Sequence, residues 1–314
     1  MNDSPTPPFF AVWLDWPIRC FKLDSAGEAR LRALAPAGSD FAICRSQEDF
    51  LRALPSATHA LAWEFRKEWF ALAPRLRVLA TPSAGREWMP RPESVPDSVT
   101  VRHGRFHGPV MAETAAAFML AHARGLYRAE ELQAAGDPWP RAALSPYCFT
   151  LAGTRAVILG CGAVGGAVAR LIGALGVETK GIRRSNIGEL IPSLADADWL
   201  VVALPSDTGT DAIVSADVLA ALPPRAVVIN VGRGNAVDEH ALVEAVRAGR
   251  IAGAYLDVVR NEPLEETSPL HPRNLSALRT PDGRPLSCAI RLLPHASAFS
   301  PDYLSRFFEE LFAS

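Results

Sequence analysis

The chain has 314 residues, of which 49% are hydrophobic and 21% charged, and a formal net charge of −2. That length exceeds one ordinary hydrophobic core, and the composition is that of a folded chain. The charge excludes a general nucleic-acid binder, which needs a basic surplus to displace phosphate counterions.

Residues 1–8 carry no basic leader region, and the apolar patch at 9–14 is too short for a secretory signal. No window approaches the run of about 18 apolar residues that spans a bilayer. The five cysteines (20, 44, 148, 161 and 288) form no CxxC pair, so a reducing compartment is expected. Together these features predict a cytoplasmic protein that engages no membrane.

Strand patterns over 9–15, 41–45, 59–63 and 76–81 alternate with helix patterns over 27–35, 48–54 and 67–73. Prolines 82, 90, 92 and 96 mark 82–98 as a loop. Residues 110–135 predict one long helix whose apolar positions wrap more than one stripe. Such a helix has surface for a second subunit, and a homodimer is expected. A second alternating series follows. Its strands fall over 156–159, 179–182, 200–204, 227–231 and 252–257, and its helices over 163–175, 215–221 and 239–248. Residues 263–287 read as a polar, proline-rich connection, and 301–312 as a closing helix. Strands alternating with helices predict an α/β chain of two doubly wound parallel sheets.

The segment Gly160-Cys161-Gly162-Ala163-Val164-Gly165 is G-x-G-x-x-G between a predicted strand and a predicted helix. That context makes it a dinucleotide fingerprint. Gly160 would allow the tight turn, Gly162 the approach of a pyrophosphate, and Gly165 close helix–strand packing. The next strand ends in Arg183-Arg184-Ser185, where an NAD site would place a carboxylate. Guanidinium groups and a hydroxyl suit a 2′-phosphate instead, so NADP(H) is preferred, with NAD(H) possible. Asp257 ends the strand AYLD, where its carboxylate could accept from a nicotinamide carboxamide. No HExxH and no His/Cys cluster is present, and no metal is expected.

Four segments in order, GCGAVGGAVA, INVGRGNAVDEHAL, GAYLDVVRNEPL and LLPHAS, resemble the D-isomer-specific 2-hydroxyacid dehydrogenases. The segment 61–87 looks most like the glyoxylate/hydroxypyruvate reductase branch. The resemblance implies three catalytic residues. Arg233 would hold the substrate carboxylate and polarise the keto oxygen, His295 would be the general acid, and Glu262 would pair with its imidazole. The residue types suit the chemistry, because hydride addition builds an alkoxide that needs a cation and a proton donor. His271 is the rival acid, and the PHAS context favours His295. Leu204, Pro205, Val231 and Gly232 are implied as further cofactor contacts. Ala84, Gly85 and Arg86 fit the substrate loop, and Trp63 could form a pocket wall. Glu262 and His295 stand 33 positions apart, more than the family pattern. An extra loop of about 15 residues, 273–287, accounts for the difference.

The resemblance thus implies a flavodoxin-like substrate domain (1–102), an inserted Rossmann NAD(P)-binding domain (103–291) and a returning segment (292–314), with substrate in a cleft closed by a hinge. The expected activity is NADPH-dependent reduction of a small 2-keto acid to the D-2-hydroxy acid. The alternatives are NAD-linked oxidation of a D-2-hydroxy acid, and a dinucleotide-sensing interaction protein on the same scaffold.

Overall fold

In the computed structural model, which describes residues 7–313, β1 (Phe9–Trp13), β2 (Asp40–Ile43), β3 (His59–Ala62), β4 (Val78–Thr81) and β5 (Thr100–His103) form one parallel sheet. Residues 1–6, on which most of the leader reading rests, fall outside the described residues. The strand order β2-β1-β3-β4-β5 is the flavodoxin-like one. Caps fix where the intervening helices begin. Asp24 accepts from the Gly27 N–H ahead of the helix Ser25–Leu34, and Ser46 from the Asp49 N–H ahead of Gln47–Ala53.

Two expectations differ here. Residues 67–73 form the 3-10 helix Lys67–Leu72 instead of an α-helix, since so short a stretch before Pro74 accommodates the tighter winding. The strand Thr100–His103 was not anticipated. It lies at the sheet edge, is only half-buried, and has no apolar run to announce it.

A second parallel sheet contains β6 (Arg155–Leu159), β7 (Glu178–Ile182), β8 (Trp199–Val202), β9 (Val227–Asn230), β10 (Gly253–Leu256) and β11 (Ile290–Leu292). Their order is β11-β10-β9-β8-β6-β7. The order reverses at β6, so the loop after β6 opens at the switch point where doubly wound sheets bind ligands. Strands β8, β9 and β10 are buried along their whole length. One apolar layer covers each face, as a parallel sheet requires.

The expected single helix over 110–135 is two, Gly108–Ala123 and Leu126–Ala134. The break is at Gly125, whose φ of +63° suits glycine, and where a Cβ would lie 2.9 Å from the Leu144 side chain. The proline-rich connection carries the short helices Pro272–Ala277 and Leu286–Ala289, whose Leu275 and Leu286 are buried in the core. They lead into β11, a three-residue strand too short to stand out in the sequence.

The chain divides into two units. One takes the residues up to His107 and those from Phe299 onward, and the other takes Gly108–Ala298. Both crossings come later than the expected 102 and 291. The second is displaced because β11 pairs with β10, and the Asp257 carboxylate binds the backbone of 296 and 297. Among the described residues no helix is long and apolar enough to cross a membrane. No group of three or more His, Cys, Asp or Glu side chains among them could hold a metal ion.

Candidate active site

The glycine-rich turn follows β6. Gly160 has φ of +97°, and a Cβ there would lie 2.7 Å from the Ala203 carbonyl oxygen. A Cβ on Gly165 would sit 1.8 Å from the Gly160 carbonyl oxygen, so the helix can approach the strand only without one. Gly162 faces open space and precedes the helix Ala163–Ala174 with no side-chain cap. Gly162 and Ala163 are exposed and Val164 is half-buried, so the helix start offers its amide donors outward. The turn therefore fits a dinucleotide pyrophosphate.

Arg183, Arg184 and Ser185 are exposed at the end of β7. The Asn186 side chain accepts from the Arg183 N–H at 2.7 Å, and Arg184 pairs with Asp207 at 3.2 Å. Leu204 and Pro205 follow β8, and Val231 and Gly232 follow β9, on the same C-terminal edge of the sheet. A Cβ on Gly232 would be 2.6 Å from the Leu204 nitrogen, so these two loops pack backbone to backbone.

Arg233 is half-buried and donates to the Gly232 carbonyl at 3.0 Å. Its loop is clamped by Asn230, a fully buried side chain at the end of β9. The Asn230 oxygen accepts from the Gly232 N–H at 3.0 Å, and its nitrogen donates to the Arg233 carbonyl at 3.0 Å. Gly234 seats this loop on the next one, where a Cβ would meet the Val259 carbonyl at 1.9 Å. The Glu262 side chain accepts from the N–H of the same Val259 at 3.2 Å.

The other Glu262 oxygen lies 2.6 Å from His295 Nδ1. That hydrogen bond raises the His295 pKa above the ordinary histidine value, against burial and the Arg233 charge, which lower it. Burial pushes the Glu262 carboxyl up, but the bond to His295 and the cationic ring outweigh it, and its pKa falls below the usual glutamate value. The imidazole is half exposed, so it can reach a ligand. His295 is a non-glycine residue at φ of +49°. Its N–H donates to the carbonyls of Asp257 at 2.8 Å and Leu293 at 2.9 Å, which hold it in this strained conformation.

Asp257 has a structural task in this fold. Its carboxylate is 2% exposed and already engaged. One oxygen accepts from the Ala296 N–H at 2.7 Å and the Ser297 N–H at 3.0 Å, and the other accepts from the Ser297 hydroxyl. Burial raises its pKa, and these donors offset that only in part. Asp257 thus fixes the turn that carries His295. His271 caps the helix Pro272–Ala277 by accepting from the Arg273 N–H at 3.3 Å. Sequence reasoning missed Asn230 and Ser297. Their signal is a polar side chain at the end of an apolar strand and beside the PHA tripeptide.

In the other unit, Trp63 donates to the Phe21 carbonyl at 2.9 Å and packs against Trp16, Phe21 and Tyr303. In the loop after β4, Gly85 is buried and its N–H donates to the Ser83 hydroxyl at 3.1 Å. Its neighbours Ala84 and Arg86 are exposed.

Residues 116–281 match the family model described as D-isomer specific 2-hydroxyacid dehydrogenase, NAD binding domain. A glyoxylate/hydroxypyruvate reductase B from Pectobacterium carotovorum is 34% identical over 218 residues, which cover 65% of this chain and 68% of that protein. Among solved structures, a D-isomer specific 2-hydroxyacid dehydrogenase from Xanthobacter autotrophicus in complex with NADPH and MES is 27% identical. It has a TM-score of 0.74, with 96% of this chain and 93% of that one covered. An NADPH-dependent glyoxylate/hydroxypyruvate reductase from Sinorhizobium meliloti in complex with citrate is 25% identical. It has a TM-score of 0.70, with 98% and 93% covered.

Proposed function

The chain belongs to the D-isomer specific 2-hydroxyacid dehydrogenases, NAD(P)-dependent enzymes, and we propose that it is an NADPH-dependent reductase of a small 2-keto acid of the glyoxylate/hydroxypyruvate class. The observation that carries this reading is the His295–Glu262 pair at 2.6 Å beside the clamped Arg233 loop.

A bound reduced dinucleotide supplies the hydride. Gly160, Gly162, Ala163, Val164 and Gly165 would hold its pyrophosphate, with Leu204, Pro205, Val231 and Gly232 lining the same sheet edge. Arg183, Arg184 and Ser185 would receive the 2′-phosphate. Arg233 binds the substrate carboxylate and draws electron density toward the keto oxygen. As that oxygen gains charge, His295 gives it the proton, and the product is the D-2-hydroxy acid. Glu262 keeps the ring charged until then, and Asp257 keeps it in place. Ala84 and Arg86 in the loop after β4, and Trp63 at the end of β3, would be further substrate contacts. The names of the Pectobacterium and Sinorhizobium relatives support the substrate class.

We also infer a homodimer. Leu120, Leu126 and Trp139 are 38%, 60% and 75% exposed on and beside the two helices that replace the expected long one. Light scattering at micromolar concentration should give twice the chain mass, and a monomer mass rejects this. The function is tested with a panel of 2-keto acids, each assayed with NADPH and with NADH. Turnover of glyoxylate or hydroxypyruvate that favours NADPH supports the reading. A preference for NADH, or no turnover of any keto acid, overturns it.

A further inference from the structure

The edge strand β5 ends in His103, a half-buried histidine that the mechanism above does not use. Its register sets it beside Thr81, the last residue of β4. The ring therefore stands next to the loop that leaves β4 and carries Ala84, Gly85 and Arg86. The residue after it presses on the same loop. The Gly104 N–H donates to the carbonyls of Thr81 at 2.9 Å and Ser83 at 3.2 Å. A Cβ on Gly104 would lie 2.2 Å from the Pro82 carbonyl oxygen, so a glycine is needed for so close an approach.

Gly85 is pinned from both sides. Its N–H donates to the Ser83 hydroxyl at 3.1 Å, and the Ser83 N–H donates to the buried Thr81 hydroxyl at 3.3 Å. The Gly85 carbonyl oxygen lies 3.2 Å from His103 Nδ1. A carbonyl oxygen only accepts, so Nδ1 carries a proton and donates it to this bond. Burial chiefly, and the Arg86 charge after it, lower the pKa of the ring below the ordinary histidine value, and the Gly85 and Ser83 carbonyls and Glu87 oppose them only in part. The bonds of Thr81 and Ser83 span two residues each and stay within the turn. The bond of His103 instead ties the turn to a neighbouring strand. Ala84 and Arg86 flank the pinned residue, so any rotation of Gly85 would re-aim both.

We propose that His103 is a positioning residue for keto-acid binding, acting through its hydrogen bond to the Gly85 carbonyl to hold Ala84 and Arg86 in their binding geometry. The inference rests on the reading of Ala84 and Arg86 as substrate contacts. Its role is to present a donor, not to fill space or to move a proton in the reaction. A loop that grips the substrate equally before and during hydride transfer contributes uniform binding, so its loosening raises KM and spares kcat.

The test is steady-state kinetics on the full chain with NADPH and the better substrate of glyoxylate and hydroxypyruvate. Two variants separate donor from bulk. His103→Leu keeps apolar bulk and loses the donor, whereas His103→Asn loses bulk and keeps an N–H near the place of Nδ1. His103→Leu should raise KM for the keto acid about tenfold, the size of one lost hydrogen bond, with kcat and the KM for NADPH unchanged. His103→Asn should restore KM close to that of the unaltered chain. Should the leucine variant fail to fold, His103→Ala against His103→Asn reads the same difference, since neither fills the space of the ring and only asparagine donates. A KM that leucine leaves unchanged, equal impairment by donor and non-donor variants, or a fall in kcat at constant KM overturns the proposal. Absence of keto-acid turnover in the unaltered chain overturns the reading of the site and this inference with it, whereas turnover with a KM indifferent to the donor overturns the role of His103 alone.

Discussion

Three loops on the C-terminal edge of the second sheet are held in two opposite ways. The Arg233 loop is gripped by buried Asn230 at the end of its own strand β9, and the His295 loop, which follows β11, by buried Asp257 after the neighbouring strand β10. Arg183, Arg184 and Ser185 follow β7 in the open, tethered through Asn186 and one surface ion pair. The contrast follows from the tasks. A proton donor and a carboxylate clamp must sit within a fraction of an ångström of the reacting atoms, so their supports are buried and rigid. A 2′-phosphate can be met by long side chains from solvent, so that end can stay soft and exchangeable.

The largest expected effect is at the rigid end. His295→Ala should lower kcat by about 10²–10⁴, the range for a lost general acid. His271→Ala should change kcat little, because that ring only caps a helix. Steady-state kinetics on both variants decides the matter, and the reverse ranking would make His271 the acid.

Removing the buried support should act through position. Asp257→Ala leaves the N–H groups of Ala296 and Ser297 without their acceptor, at about 1–3 kcal/mol of stability per buried donor. Urea unfolding measures the loss. The same variant should lower kcat more than it raises KM, since His295 relaxes from its positive-φ conformation. Ala substitution of Arg183, an exposed counterpart, should shift stability by under about 0.5 kcal/mol. Equal losses at the two sites would erase the contrast.

The pH profile sharpens the same point. His295 is held above its ordinary pKa chiefly by Glu262. Reduction needs the protonated ring, so kcat/KM should be flat below the His295 pKa and fall as pH rises through it. Glu262→Gln removes both the hydrogen bond to the carboxylate and its charge. Burial and Arg233 then push the ring down, and the fall should begin at lower pH. A profile that does not move shows that Glu262 does not set the titration.

Legibility in the sequence follows the same division. The glycine turn, Arg233, Glu262 and His295 sit in short contiguous motifs, so strand, turn and helix signals agree on them. Asp257 could be placed at its strand end, but its partners Ala296 and Ser297 are some forty positions away, and only the fold shows that they bind its oxygens. The break at Gly125 was hidden because the apolar pattern runs on through a left-handed residue. Strands β5 and β11 were missed because one is a polar edge and the other spans three residues. The segment 273–287 read as soluble loop, yet Leu275 and Leu286 are buried, since two apolar residues among many polar ones are enough to anchor it.

The smallest effect belongs to the soft end. The Arg184 side chain is 85% exposed and its partner Asp207 40%. Such a pair is worth little by itself, about 0–1 kcal/mol, so its loss should leave the melting temperature unchanged within error. Its value lies in recognition. Arg184 can turn from Asp207 to a 2′-phosphate, whereas the adenosine of NADH offers no second charge to meet it. Arg184→Ala should therefore lower kcat/KM for NADPH by about tenfold or less, a loss of up to about 1.4 kcal/mol, and barely alter that for NADH. Asp207→Asn should act in the opposite sense, freeing the guanidinium and improving NADPH modestly. The two single variants and the double variant, each assayed with both cofactors, form a cycle. If Asp207→Asn still improves NADPH when Arg184 is absent, the effect is one of surface charge alone, and cofactor choice must be sought at Arg183 and Ser185.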